Sequence, residues 1–271
     1  MTRMCEIQGP NGVVSCGEGR PLVVIGGPCV LETPELSVEI GETLRDACAS
    51  AGFSYVFKAS FDKANRSSIT SHRGPGIGSG LDHLASMRER LGVPVLTDVH
   101  EAGQCGRVAE AVDLLQIPAF LCRQTDLLVA AGEACADRES VASCVNIKKG
   151  QFVSPAEMSG PVDKVRASGC ASVMVTERGT FFGYGRLVND FIGVGELLDG
   201  IGSHGSKPPV CFDATHSVQR PGARDAEGNL FSSGARQRVP MLALASVAAG
   251  VDVLFVECHP DPERAPSDGA N

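Results

Sequence analysis

Tryptophan is absent from the 271-residue chain, and aromatic residues make up only 5% of it. A surface that binds single-stranded nucleic acid by base stacking needs such side chains, so this composition argues against one. Positive charge is also scarce, because 24 Lys and Arg residues face 32 Asp and Glu residues, for a net charge of −8. Nucleic acids and anionic membranes are therefore not expected partners, and an anionic ligand needs a local group of basic side chains.

Cysteine motifs and long apolar runs are missing as well. None of the 11 cysteines forms a Cys-X-X-Cys motif, and the closest pair is Cys135 and Cys144. This spacing argues against a zinc ribbon and a small disulfide scaffold, and it predicts mostly buried, reduced thiols in a cytoplasmic protein. The N-terminus lacks the apolar run of a signal peptide. The longest apolar stretch, residues 239–256, breaks at Gly250, so no membrane span is expected.

Short apolar runs alternate along the chain with helical segments. Eight runs are apolar on both faces, as in strands of a buried parallel sheet. They cover residues 22–26, 55–59, 94–98, 114–117, 144–148, 172–176, 210–213 and 253–256. Eight βα units in about 250 residues predict an α/β protein with a (β/α)₈ TIM barrel as one domain over residues 1–271. A doubly wound sheet is the alternative, although its nucleotide-binding turn is missing.

The helices are predicted from capping residues and glycine stops. Thr33 caps a segment that ends at Gly52, and most of the other helices are expected to end at glycines. Those helices cover residues 81–91, 101–111, 124–131, 155–167, 187–198 and 237–248, and the stops are Gly92, Gly132, Gly169, Gly200 and Gly250. No helix is predicted after the last strand. The segment 132–143 is longer than expected for its place in the barrel.

Several connections have a predicted role. Residues 1–20 resemble a β-hairpin that closes the bottom of the barrel. Residues 61–80 and 217–235 exceed the usual length of a connection, which is typical of lids and binding loops. The glycine-rich stretch 74–80 is expected to be a flexible loop rather than a phosphate cradle, because it has no following Lys-Ser/Thr and does not open from a strand.

Polar residues follow all eight predicted strands, at the end of a barrel where active sites lie. Five are basic, and in an acidic protein they indicate a ligand with several phosphate or carboxylate groups, unless they pair with acids on the rim. These are Lys58, Lys63, Arg66, Lys148 and Arg178. A second set could hold a transition metal, although no local spacing motif supports it and a lone cysteine is usually a core residue. It comprises Cys29, His216, Glu257 and Asp268.

At these residues the chain closely resembles the 3-deoxy-D-manno-octulosonate 8-phosphate synthase family. The resemblance covers residues 21–271 and rests on blocks that are specific in combination. They are residues 27–29, 57–68, 73–76, 97–101, 116–126, 146–152, 176–179, 213–219 and 257–262. A sister family that uses erythrose 4-phosphate has a different block at residues 63–68, and a non-catalytic barrel that binds sugar phosphates is a further alternative.

The resemblance implies a homotetrameric (β/α)₈ enzyme that condenses phosphoenolpyruvate with D-arabinose 5-phosphate and water and releases phosphate, for lipopolysaccharide synthesis. It implies that Lys63, Lys148 and Arg178 bind phosphoenolpyruvate, with Lys58 and Gln116 beside them. Asn65, Arg66 and Ser67 are implied to bind the sugar phosphate, and Phe120 and Arg123 to reach a neighbouring subunit. Lys63 and Lys148 also count as catalytic, and proton transfer is expected from Asp98, His216 or Glu257.

The family has a metal-dependent class with cysteine after the first barrel strand and a metal-free class with asparagine there. Cys29 places the chain in the metal-dependent class, and His216, Glu257 and Asp268 match the other ligands. The expected cofactor is a divalent transition metal ion, Fe²⁺, Zn²⁺, Mn²⁺ or Co²⁺.

Overall fold

Eight parallel strands close into a barrel in the computed structural model, which describes residues 2–66, 69–137, 139–201, 207–224 and 230–271. An N-terminal hairpin, β1 and β2, precedes them, and β10 and β11 form a second hairpin near the C-terminus. The strands are β1 Met4–Gly9, β2 Gly12–Gly17, β3 Val23–Gly27, β4 Ser54–Lys58, β5 Val95–Asp98, β6 Leu114–Ile117, β7 Cys144–Lys148, β8 Val173–Glu177, β9 Val210–Asp213, β10 Arg220–Arg224, β11 Leu230–Ser233 and β12 Val253–Glu257.

The ring closes between the last barrel strand and the first. Val253 of β12 pairs with Val23 of β3, and β12 also pairs with β9 on its other side. A doubly wound sheet has two open edges, so this closure excludes it and confirms the predicted (β/α)₈ barrel. All eight predicted strands are present, with boundaries within one residue of the predicted ones. No helix among the described residues is long and apolar enough to cross a membrane.

Helices lie between the barrel strands. They are α1 Pro34–Ala51, α2 Ile77–Leu91, α3 Cys105–Ala109, α4 Thr125–Ala136, α5 Ser159–Ala167, α6 Phe191–Asp199 and α7 Val239–Ala249. The α1 cap is confirmed, because Thr33 Oγ1 accepts a hydrogen bond from the Leu36 N–H and Gly52 is left-handed. Short 3₁₀ turns replace the first part of the helices predicted at 101–111 and 155–167. After β12 the described chain forms only a 3₁₀ turn, Pro262–Arg264.

Two glycine predictions are wrong, for one physical reason. Helix α4 continues through Gly132, where it packs closely against α5. A Cβ at this position would lie 2.6 Å from the Val165 carbonyl oxygen. Gly80 lies inside α2, where a Cβ would lie 2.4 Å from the Phe61 Cβ. Each glycine permits close packing rather than a turn. The continuation of α4 also accounts for the apparent excess length at 132–143.

The N-terminal hairpin closes the barrel at the amino ends of its strands, as predicted. Its side chains Cys5, Ile7 and Cys16 are buried in one cluster with inward-facing barrel residues such as Val23 and Val253. The second long connection is not a structureless loop, because β10 and β11 pair antiparallel within it. The thiol prediction holds in part: most cysteines are buried, but Cys29, Cys135 and Cys258 are partly exposed.

Candidate active site

A cavity of about 630 Å³ lies at the carboxyl ends of the barrel strands. This volume is typical of small-molecule sites. Twelve of the predicted site residues line it: Lys58, Lys63, Asn65, Arg66, Asp98, Gln116, Phe120, Lys148, Arg178, His216, Glu257 and Asp268. A smaller neighbouring cavity of about 170 Å³ is lined by Cys29 and shares Glu257 and Asp268 with the larger one. The predicted Ser67 lies outside the described residues.

Two of the five basic groups form buried ion pairs. Lys148 Nζ lies 2.7 Å from Asp213 Oδ2 and 3.8 Å from the centroid of the Phe255 ring. Lys58 Nζ contacts Glu257 Oε1 and donates to the Cys29 carbonyl at 2.9 Å. Pairing with acids, the alternative to a polyanionic ligand, therefore applies to these two lysines.

The other basic groups keep charge or donors for a ligand. Lys63 Nζ donates to Ser60 Oγ at 3.1 Å. Burial opposes its charge, but the surrounding negative groups, Glu257 among them, raise the pKa of Lys63 above its usual range. Arg178 Nη2 donates to Gln219 Oε1 at 2.6 Å, whereas its buried Nη1 has no hydrogen-bond partner among the described residues. A buried, unpaired guanidinium nitrogen is suited to an anionic oxygen.

Arg66 connects two segments over the cavity. Its Nη1 donates to Ser267 Oγ at 2.7 Å, and its Nη2 donates to the Pro266 carbonyl at 2.9 Å. Ser267 precedes the predicted metal ligand Asp268. Arg66, which is predicted to bind the sugar phosphate, therefore lies next to the predicted metal site. Arg66 and Asp268 both lie on irregular chain that follows a barrel strand.

Three of the four predicted metal ligands form a compact group. The ligand atoms of Cys29, Glu257 and Asp268 lie within 4.8 Å of one another. Cys29 Sγ donates to Asp268 Oδ2 at 3.0 Å, and Glu257 Oε2 is buried without a hydrogen-bond partner in the described chain. Burial raises the pKa of the Cys29 thiol, and Glu257 raises it further. Although burial disfavours its charge, Glu257 has a pKa lowered to about 2, because the Lys58 ammonium stabilises the carboxylate.

His216 lies at the edge of this group rather than within it. Its Nε2 is 3.6 Å from Glu257 Oε2, and its Nδ1 is 2.7 Å from Asp213 Oδ2. The carboxylate accepts from the Nδ1 hydrogen, which leaves the lone pair of the neutral ring on Nε2. That lone pair can bind a metal ion or accept a proton.

Phe120 and Arg123, both expected to reach a neighbouring subunit, are exposed. Phe120 stacks on Phe152 with ring centroids 6.5 Å apart. Arg123 Nη1 lies 3.5 Å from Glu157 Oε1 and does not line the cavity of its own chain. Phe120 therefore belongs to the cavity wall, and Arg123 does not.

One buried polar residue that was not assigned a role from sequence, Asn146, joins a hydrogen-bond chain with Gln116 and Asp98, which were. Gln116 Nε2 donates to Asp98 Oδ1 at 2.6 Å, and Asn146 Nδ2 donates to Gln116 Oε1 at 2.9 Å. Burial opposes the charge of Asp98, but nearby lysines, led by Lys58, lower the pKa of its carboxyl below the usual range. A signal for Asn146 exists in the sequence, because it stands two residues before Lys148 and so shares its face of β7.

Comparison with known proteins places the chain in a family. The sequence model of the DAHP synthetase I family matches residues 5–271. The chain belongs to the DAHP synthetase I family. This membership agrees with the closed barrel and with the polar groups that converge at its carboxyl ends.

Similar curated proteins carry one name, "2-dehydro-3-deoxyphosphooctonate aldolase". The protein from Desulfotalea psychrophila is 50% identical over 263 residues, which cover 97% of this chain and 88% of that protein. The protein from Rhodopseudomonas palustris strain TIE-1 is 49% identical over 260 residues, which cover 96% of this chain and 85% of that protein. The protein from Cyanothece sp. is 48% identical over 258 residues, which cover 95% of this chain and 88% of that protein.

Proposed function

We propose that this chain condenses phosphoenolpyruvate with D-arabinose 5-phosphate and water, giving 3-deoxy-D-manno-octulosonate 8-phosphate and inorganic phosphate. The observation that carries the proposal is that five basic side chains line one cavity in a chain of net charge −8. Two of them are paired with buried acids, whereas Lys63, Arg66 and Arg178 have no ion-pair partner among the described residues. Two phosphorylated substrates, one of them also a carboxylate, match that concentration of positive charge. The name of the similar proteins contains the same eight-carbon phosphorylated sugar acid, which supports the proposal. In the proposal the reaction serves lipopolysaccharide synthesis and takes place in the cytoplasm.

Phosphoenolpyruvate occupies the part of the cavity formed by Lys63, Lys148 and Arg178, with Lys58 and Gln116 beside them. The free Nη1 of Arg178 supports this assignment, because it is a buried donor that needs an acceptor. Asn65, Arg66 and Ser67 bind the phosphate end of arabinose 5-phosphate.

The basic groups act by neutralising and orienting two anionic substrates. Carbon 3 of phosphoenolpyruvate attacks the aldehyde carbon of the sugar, water adds at carbon 2, and phosphate leaves by cleavage of its C–O bond. Lys63, Lys148 and Arg178 stabilise the anionic phosphate and carboxylate throughout these steps, and holding the reacting atoms together lowers the entropic part of the barrier.

A divalent metal ion fits the group formed by Cys29, Glu257 and Asp268, with His216 Nε2 as a fourth ligand. The fit rests on the three clustered donor atoms and on the buried, unpaired Glu257 Oε2. When bound, such an ion supplies Lewis-acid stabilisation of oxygen and lowers the pKa of a bound water. Asp213 holds the His216 ring in the orientation that such a ligand needs.

Proton handling is assigned to the adjacent His216 and Glu257 side chains rather than to Asp98. Both oxygens of Asp98 already accept hydrogen bonds, from Gln116 and Ser60. His216 Nε2 and Glu257 Oε2 face each other at 3.6 Å in the cavity wall.

One domain over residues 1–271 and a homotetramer complete the proposal. Phe120 and Arg123 are exposed on the segment that follows β6, as a residue that reaches a neighbouring site must be. In that assembly Arg123 reaches the cavity of a neighbouring subunit, and Phe120, which also lines the cavity of its own chain, contacts that subunit.

The test is phosphate release from phosphoenolpyruvate with each aldose phosphate in turn. We expect release with arabinose 5-phosphate, much slower release with erythrose 4-phosphate, and none without an aldose. Faster release with erythrose 4-phosphate would indicate the sister activity. Calorimetric binding of both substrates without any release would indicate a non-catalytic barrel.

A further inference from the structure

Asp98 receives hydrogen bonds from two directions beneath the cavity. On one side, Ser60 Oγ donates to Asp98 Oδ2 at 2.5 Å and accepts from Lys63 Nζ at 3.1 Å. Ser60 is fully buried, and its hydroxyl is the group that joins the Lys63 ammonium to this carboxylate. Lys63 follows β4 on irregular chain, so this bond fixes its head group to the barrel.

On the other side, a chain of hydrogen bonds crosses four neighbouring strands. Thr176 Oγ1 on β8 donates to Asn146 Oδ1 on β7 at 2.7 Å. Asn146 Nδ2 donates to Gln116 Oε1 on β6 at 2.9 Å, and Gln116 Nε2 donates to Asp98 Oδ1 on β5 at 2.6 Å. All four side chains are buried.

The direction of this chain is fixed by the charge at its end. An ionised carboxylate can only accept, so Gln116 must turn its NH₂ group toward Asp98. Its carbonyl then needs a donor, which Asn146 supplies, and the Asn146 carbonyl in turn needs the Thr176 hydroxyl. The second N–H of Gln116 stays available to the cavity that Gln116 lines.

We propose that Ser60, Asn146 and Thr176 are positioning residues for phosphoenolpyruvate, with Ser60 fixing the ammonium of Lys63 and Asn146 and Thr176 fixing the amide of Gln116. None of the three lines the cavity, so they act through Lys63 and Gln116. The inference rests on the proposed function, because it assigns those two groups to phosphoenolpyruvate. Asn65 and Arg66, assigned to the sugar, lie outside the network.

The test compares the two substrates in Ser60→Ala and Thr176→Val. We expect KM for phosphoenolpyruvate to rise about tenfold or more in Ser60→Ala, because its hydroxyl bonds two charged groups. The rise should be smaller, about threefold to tenfold, in Thr176→Val, because its hydroxyl bonds a neutral amide. KM for arabinose 5-phosphate should stay within about twofold. The calorimetric Kd of phosphoenolpyruvate alone should rise by the same factor as its KM.

Matched variants separate positioning from the loss of a buried hydroxyl. Thr176→Ser keeps the donor and should restore the wild-type KM. Ser246→Ala removes a buried hydroxyl that bonds only the Ala243 carbonyl in α7, among the contacts described. Thr97→Val removes a buried hydroxyl with no hydrogen-bond partner in the described chain. Both should leave both KM values unchanged.

Adding Ser60→Ala to Lys63→Ala should change the Kd of phosphoenolpyruvate by less than about twofold, because the ammonium that Ser60 fixes is already gone. Equal rises in both KM values, a loss of kcat alone, or no change in Ser60→Ala and Thr176→Val would overturn the network. Wild-type protein that binds phosphoenolpyruvate but releases no phosphate with arabinose 5-phosphate overturns the proposed function instead, and the Kd values then still decide the network.

Discussion

Lys148 is the residue whose charge the proposed reaction needs most directly. Lys148→Ala should lower kcat/KM for phosphoenolpyruvate about 100-fold or more, because the buried ammonium faces an anionic substrate. The fold should persist, since Asp213 keeps its hydrogen bond with His216. Steady-state kinetics with a thermal melt would check this. The control is Lys164→Ala, at a half-buried lysine of α5 whose Nζ donates to Thr125 Oγ1 and which does not line the cavity. A near wild-type kcat/KM would contradict the assignment.

Cys29 is the residue on which the proposed metal site depends most. Chelation should abolish turnover and added Mn²⁺ or Co²⁺ should restore it, because thiolate and imidazole bind late first-row ions well. Cys29→Ala should lose both metal and activity. Cys29→Asn should bind metal weakly yet keep some activity in chelator, since an amide can hydrogen-bond a water or the sugar but offers no thiolate.

The readouts for Cys29 are metal content by mass spectrometry and turnover before and after chelation. Cys48→Ala, at a buried thiol of α1 away from the site, is the matched control and should keep its metal. Full wild-type turnover with less than a few per cent of bound metal would mean that Cys29 is an ordinary apolar side chain.

The N-terminal hairpin is the element whose role can be tested by stability alone. Ile7 is fully buried among the inward-facing barrel residues. Ile7→Ala should lower the free energy of unfolding by about 2–4 kcal/mol, because it opens a cavity in that cluster. Activity should change little, since the hairpin lies at the end of the barrel opposite the site.

Urea denaturation would measure the effect of Ile7→Ala against a matched variant of the same hairpin. Val13 is 51% exposed, so Val13→Ala should change the free energy of unfolding by no more than about 0.5 kcal/mol. Equal effects of the two substitutions would show that the hairpin does not contribute to the core.

Acid should destabilise the whole molecule through its buried carboxylates. Folding lowers the pKa of the Glu257 carboxyl from 4.5 to about 2, and it also lowers the pKa values of Asp98 and Asp213. A carboxyl with a lowered folded pKa stabilises the fold above its unfolded pKa and loses that contribution as pH falls through the folded pKa. Asp113, whose pKa burial raises, acts in the opposite direction.

Denaturation midpoints between pH 7 and pH 2 would therefore fall mainly below about pH 4.5. A smaller decline begins near pH 6.5, because burial lowers the pKa of His83. Glu257→Gln should flatten part of the larger decline, because one of the responsible groups is gone. A midpoint that rises on acidification would contradict the assigned directions.

The oligomeric state of the protein can be tested as well. Phe120 and Arg123 reach a neighbouring subunit in the proposal, so light scattering should report a tetramer. Arg123→Ala should lower activity even though Arg123 does not line the cavity of its own chain. A fully active monomer at micromolar concentration would refute the assembly.

Local sequence determined the elements and most of the site. Apolar β-branched runs predicted eight strands within one residue, because a buried parallel strand must be apolar on both faces. The polar residues at the ends of these runs predicted the lining of the cavity, because parallel strands in a closed barrel bring their carboxyl ends together. Thr33 and Gly52 fixed the ends of α1, because their capping is a local interaction.

Tertiary contacts decided what local sequence could not. Glycine is typical of turns, but Gly132 and Gly80 lie inside helices. Val165 and Phe61, which are far from them in sequence, approach so closely that there is no room for a Cβ. The Thr176–Asn146–Gln116–Asp98 chain joins four strands and depends on the register between them. Hydrogen bonds between strands far apart in sequence leave no local pattern, so only the closed barrel brings these groups together.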